Sequence, residues 1–318
     1  MRGRRAADRA RRPSGHAVIR VGPAGWSYPD SPGHVYPADV PSRFDALGFL
    51  ASYFDTIEVN STFYRPQPAR TFASWVRRAA HNPRFRFTVK LWQRFTHERA
   101  AAWAAEELRA VTEGLEVLRA EDRLGALLAQ FPWSFKPGPA SRETLARLAE
   151  AFRGWPLVVE VRHGGWAHED QLPLFRDLGV GVANIDQPLI GQSFAPAAHA
   201  TSAVGYVRFH GRNYEHWFGE QEDAAQRYDY LYSAKELGPW VERIRTLAAN
   251  EAVADVYVIT NNHFEGKGPA NALMLRALLD RGRVKAPPVL FATYREALEP
   301  YAEPGEAPAG DAEEPSLF

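Results

Sequence analysis

Seven apolar runs in this chain end in side chains able to do chemistry. Thr56 and Ile57 lead into Glu58, Asn60, Ser61, Thr62 and Tyr64, so a β-branched stretch gives way to a carboxylate, an amide, hydroxyls and a phenol. Similar runs end at Lys90, at Gln130, at Glu160 with Arg162 and His163, and at Asp186. The last two end at Arg208 with His210 and Arg212, and at Asn261, Asn262 and His263. Each run has the length and composition of a buried strand, which would carry its polar end to the edge of a sheet.

Three chemistries fit these residues. Glu58 and Glu160 could face each other as general acid and base, with pKa values separated by environment; the competing reading pairs both with Arg208, Arg162 or Lys90 in a buried ion network. Glu160, Asp186, His210 and His263 offer oxygen and imidazole ligands for a divalent metal, though no short-spaced ligand motif is present. Lys90, Arg162, Arg208 and Arg212, with the amides Asn60, Gln130, Asn261 and Asn262, would make a donor-rich cleft for an anionic ligand. The aromatics Trp26, Tyr64, Trp92, Trp166 and Trp217 suit the face of a sugar. His97, in a short loop after the third run, is a further acid–base candidate. Tyr228, Tyr230 and Tyr232 alternate as in an extended segment over the cleft. Gly266 and Gly268, just before Asn271, would leave amide groups at a helix start open to an anion.

Composition narrows the setting. The chain has 318 residues, 45% apolar and 24% charged, with a formal net charge of zero, so no global field draws it to nucleic acid or membrane. It contains no cysteine, which excludes disulfides and thiolate metal sites and agrees with a cytoplasmic location. No apolar run is long enough to span a bilayer. Residues 1–15 are rich in arginine and read as a disordered basic arm; residues 301–318 read as a disordered acidic tail. No Walker loop, dinucleotide fingerprint or serine nucleophile elbow is present.

The elements that position these groups alternate along the chain. A first strand at Val18–Val21 runs into a Gly- and Pro-rich loop at residues 22–28. Helical apolar spacing follows at residues 43–54, 69–80, 104–119, 141–152, 169–177, 234–248 and 270–280, while residues 187–202 read as a loop. Eight strands separated mostly by helices predict a single (β/α)8 barrel over residues 16–300, with a doubly wound open sheet as the alternative. In a barrel all the polar strand ends gather at one mouth.

At this point the residues resemble a known family, the domain of unknown function 72 or YecE-like proteins. The matching pieces include Gly25-Trp26-Ser27-Tyr28, the Glu58–Tyr64 segment, Thr96-His97-Glu98-Arg99, Gln130-Phe131-Pro132, Glu160–His163 with Trp166, Arg208–Arg212, Tyr228–Ser233 and Asn261–His263 with Pro269–Ala272. They span roughly residues 18 to 285 in order. The resemblance implies a TIM-like barrel and carries no established activity. Ala24 stands where relatives commonly carry Ser, so a hydroxyl there is not essential here.

The resulting expectation is acid–base chemistry, hydrolytic or isomerising, on an anionic or sugar-like small molecule. Glu58, Glu160 and His97 are the catalytic candidates. The alternatives are a non-catalytic module binding nucleic acid or nucleotides and a divalent-metal-dependent hydrolase or isomerase.

Overall fold

The β-branched runs become eight parallel strands: β1 (Val18–Pro23), β2 (Thr56–Val59), β3 (Arg86–Lys90), β4 (Leu124–Gln130), β5 (Leu157–Glu160), β6 (Gly181–Asp186), β7 (Val204–Phe209) and β8 (Asp255–Thr260). The computed structural model describes residues 17–41, 43–98, 102–214 and 226–306. The expected basic arm, Trp217 and residues 307–318 lie outside the described residues.

Strand order follows the chain, with β1 beside β8 and β2 at the other end of the ladder. The ring closes where β1 meets β2: a single bridge joins Ala24 to Glu58, and Gly25 N–H donates to the Glu58 carbonyl at 2.8 Å. The result is a (β/α)8 barrel, as the alternation predicts.

Around it lie α1 (Ala46–Ala51), α2 (Ser61–Tyr64), α3 (Ala69–Arg78), α4 (Ala105–Ala120), α5 (Pro139–Ala151), α6 (Leu172–Asp177), α7 (Ala234–Ala249) and α8 (Lys267–Asp280). Local chemistry sets the helix starts. Asp45 accepts from Gly48 N–H to cap α1, which shortens the helix expected over residues 43–54. Ser233 and Glu236 form a capping box at α7. α5 starts at Pro139, two residues before the expected Ser141, because proline's fixed φ suits a first turn.

No helix joins β6 to β7. Residues 187–203 instead fold back on the sheet, where Thr201 Oγ1 accepts from Val182 N–H at 2.9 Å and donates to the Val180 carbonyl at 2.8 Å. The barrel unit also runs past its expected end at residue 300. After α8, β9 (Val284–Ala286), α9 (Pro288–Thr293), α10 (Arg295–Leu298) and β10 (Ala302–Pro304) form a small cap. β10 pairs in parallel with β9, and Tyr53 OH donates to the Glu306 carbonyl at 2.7 Å. The acidic composition that suggests a tail from 301 carries no sign of this backbone pairing.

Two glycines show how tightly the barrel is drawn. A Cβ on Gly125 would lie 2.6 Å from the Tyr257 ring that fills the lower barrel. A Cβ on Gly22 would lie 1.8 Å from the Thr56 carbonyl oxygen, so β1 and β2 approach as closely as they do only because Gly22 has no side chain. Gly22→Ala is therefore expected to destabilise the fold by about 3 kcal/mol, read as a lowered urea midpoint at unchanged m-value.

Candidate functional site

Residues two apart on a strand share a face, so one parity of each strand points into the barrel. On β7 this parity carries Tyr206 and Arg208, with His210 just beyond; on β2 it carries Thr56, Glu58 and, just past the end, Asn60; on β3 it carries Thr88 and Lys90. On β5 it carries Glu160, followed by Arg162. Because Lys90 and Asn60 come last, they lie nearest the mouth, with Glu58, Thr88 and Tyr206 beneath them.

Arg208 joins the floor together. Its Nη2 donates to Glu58 Oε1 at 2.6 Å and its Nη1 to Glu160 Oε2 at 2.6 Å, with Gln130 Oε1 also accepting at 3.1 Å. Glu58 Oε2 accepts from Tyr206 OH at 2.8 Å, and that hydroxyl lies 3.0 Å from Thr88 Oγ1. Glu160 Oε1 lies 3.0 Å from Arg162 Nε and 3.1 Å from His210 Nε2. Glu58, Glu160 and His210 are wholly buried and Arg208 nearly so.

This network sets protonation. Burial alone would raise the Glu160 carboxyl, but the guanidiniums of Arg208 and Arg162 and the hydrogen bond from His210 outweigh it and hold it well below the usual range. Burial pushes His210 down to about 3 against the pull of Glu160, so at neutral pH its ring is uncharged. Its Nε2–H then donates to Glu160 while Nδ1 accepts from Asn261 Nδ2 at 3.1 Å. A carboxylate held this low does not donate a proton near pH 7.

Above the floor opens a cavity of about 360 Å³. Trp26, Tyr28, Phe63, Tyr64 and Tyr228 give it aromatic walls; Ser27, Asn60, Ser61, Asn261 and His263 give it polar groups; Lys90 gives it an amine. Among the described residues no carboxylate lines it. The His263 ring stacks on Tyr28 with centroids 4.0 Å apart, and burial pushes it down to about 4. Asn60 Oδ1 and His263 Nδ1 are buried without a hydrogen-bond partner.

Lys90 is the unusual member. Its amine makes no salt bridge or hydrogen bond among the described residues and lies 4.0 Å from the centroid of the Phe63 ring. Its pKa is pushed down to about 7, first by burial and then by Arg208, against the opposing pull of Glu58 and Glu160. The charge balance explains why. Two carboxylates and the two guanidiniums of Arg208 and Arg162 already cancel, so a protonated Lys90 would be an excess buried cation.

Of the residues singled out from the sequence, Asn60, Tyr64, Lys90, Asn261 and His263 line this cavity, and Glu58, Gln130, Glu160, Arg162, Arg208 and His210 belong to the network beneath it. The others do not converge there. His97 is exposed and packs its ring against Phe63.

Asp186 ends β6 on the parity that faces the helices, where it accepts from Arg212, Tyr232 and Trp240. Tyr230 OH donates to Glu236 at 2.5 Å, so of the three alternating tyrosines only Tyr228 reaches the cavity. Asn262 and Asn271 bond to each other and to backbone groups of residues 230 and 232, a packing role in place of the expected ligand contact. The proposed metal set is accordingly split: Glu160 and His210 lie in the floor, Asp186 against α7 and His263 on Tyr28. Among the described residues no three His, Asp or Glu side chains converge as a metal ligand set. Tyr228 is expected over the cleft and lines the cavity, whereas Tyr28 is not singled out by the sequence, because nothing in the Gly- and Pro-rich loop after β1 marks its ring as a wall.

A closed parallel barrel with its cavity at the carboxyl ends of the strands places the chain among TIM-barrel proteins. Residues 20–292 match the family model described as protein of unknown function DUF72, and the chain belongs to that family. It is 28% identical over 276 residues to the UPF0759 protein YunF of Bacillus subtilis, covering 83% of this chain and 95% of that protein. A DUF72 family protein of Thermotoga maritima superposes with a TM-score of 0.71 at 33% identity, covering 83% of this chain and 99% of that one. One from Enterococcus faecalis gives 0.70 at 22% identity, covering 83% and 96%.

Two outcomes are expected. Arg208→Met strands two buried carboxylates and should destabilise the protein by about 3–5 kcal/mol in denaturant titrations. Lys90→Met should do the opposite. A lysine whose folded pKa lies near 7 and whose unfolded pKa is near 10.5 costs stability fully below pH 7, and less as pH rises from 7 toward 10.5. The variant should therefore melt higher than the parent at pH 6–7, with the gap closing by pH 10.

Proposed function

We propose that this protein is an enzyme acting on a small, neutral, sugar-like molecule in the cavity at the barrel mouth, with Lys90 as its acid–base group. The observation that carries this reading is the make-up of the lining: aromatic faces, neutral hydrogen-bonding groups and one amine that titrates near neutrality. Aromatic rings fit the C–H faces of a sugar ring, while Asn60, Asn261 and His263 fit its hydroxyls. A group with pKa near the working pH is best suited to accept and return protons.

Glu58 and Glu160 keep a different role in this proposal. Bound through Arg208, they preorganise the floor and set the charge that Lys90 experiences. The anionic-ligand reading is weaker, because Arg208, Arg162 and Arg212 are already paired with Glu58, Glu160 and Asp186.

Neutral aldoses and ketoses should raise the melting temperature saturably and independently of salt. Asn60→Ala and Tyr64→Ala should weaken the effect at least roughly tenfold in apparent Kd, about 1.4 kcal/mol. A shift produced only by oligonucleotides, and lost steeply with added salt, would replace this proposal with nucleic-acid binding.

A further inference from the structure

The geometry points to Lys90 as a nucleophile that captures the carbonyl carbon of a small aldehyde or ketone in the cavity as an imine. This inference rests on the ligand reading above, names the reactive group of the ligand class, and has Lys90 act through an imine in place of direct proton transfer.

Four observations carry it. Lys90 ends β3 and lines a cavity of about 360 Å³, large enough for a short-chain hydroxy-carbonyl compound. Its amine forms no ion pair among the described residues, and the nearby Glu58 and Glu160 are already paired with Arg208 and Arg162. Its nitrogen is buried against the face of Phe63; that face attracts the ammonium, whereas the loss of water around the amine favours the uncharged form. Finally, the lining carries polar atoms with no partner, Asn60 Oδ1 and His263 Nδ1, while Asn261 lies at the same mouth. A carbinolamine hydroxyl needs such neighbours.

The step balances without a further reactant. The Lys90 lone pair attacks the carbonyl carbon, a C–N bond forms, and the C=O π electrons move to oxygen, which takes the proton released by nitrogen. Protonation of the carbinolamine hydroxyl then expels water and leaves the C=N bond. Nothing is oxidised or reduced, and hydrolysis reverses the sequence. An amine that titrates near 7 is partly free base at neutral pH and so can attack; the proton that expels the hydroxyl comes from solvent, and the product is the protonated imine.

The test traps the imine. Full-length protein is incubated at pH 7 with glycolaldehyde and sodium cyanoborohydride, which reduces only the C=N bond, and the labelled lysines are found by peptide mass mapping. Lys90 is expected to be labelled at least roughly tenfold faster than Lys136 and Lys235, and than Lys267 and Lys285, which are ion-paired. Its labelling rate should reach half-maximum near pH 7, and Lys90→Arg should remove the label while the protein still melts cooperatively. Equal labelling of all five lysines overturns the inference. A melting shift with neutral sugars, but no selective label on Lys90, overturns the covalent step and leaves the cavity reading standing. Neither shift nor label overturns both.

Discussion

The Arg208 guanidinium, bonded at once to Glu58 from β2 and Glu160 from β5, is the interaction on which the rest of the barrel mouth depends. Buried carboxylates are costly unless each oxygen is met, and here each of the four is. Tyr206 and Thr88 complete the Glu58 side, and Arg162 and His210 complete the Glu160 side. Holding strands two, five and seven by charge also fixes the height at which their last residues emerge. That height decides which side chains line the cavity and which lie below it.

From this arrangement the electrostatics of the cavity follow. The floor is already neutral in sum, so the Lys90 cation placed above it gains little from remaining charged. A lysine in water carries its proton firmly, whereas the same side chain on this floor is close to losing it. The unusual property therefore belongs to the surroundings and not to Lys90 itself. The neutral His210 has the same origin, burial outweighing a carboxylate neighbour.

Much of the fold was legible in the residues because strand and helix carry different periods. The β-branched runs and the apolar spacing between them predict eight parallel strands, and the helix-free stretch after β6 shows in its composition. What period cannot reveal is which way a strand faces. On β6 almost every residue is apolar or buried, so nothing marks Asp186 as facing α7 and not the barrel interior. The same blindness places Asn271 at a ligand site when its amide is spent on the backbone of Tyr232. Glu58 and Glu160 were found by type and position, but their pairing through Arg208 depends on a register that spans 150 residues of chain. The β9–β10 cap escapes for a related reason, since three-residue strands in Pro-rich sequence have no periodic signal.

The seam between β1 and β2 has a consequence of its own. These two strands share one bridge and a glycine-tight approach, whereas every other neighbouring pair forms a ladder. The cavity lies across that seam, with Gly25–Tyr28 on one bank and Asn60–Tyr64 on the other. A molecule seated between the banks would act as a clasp for the barrel, so that occupancy and closure become two readings of one equilibrium.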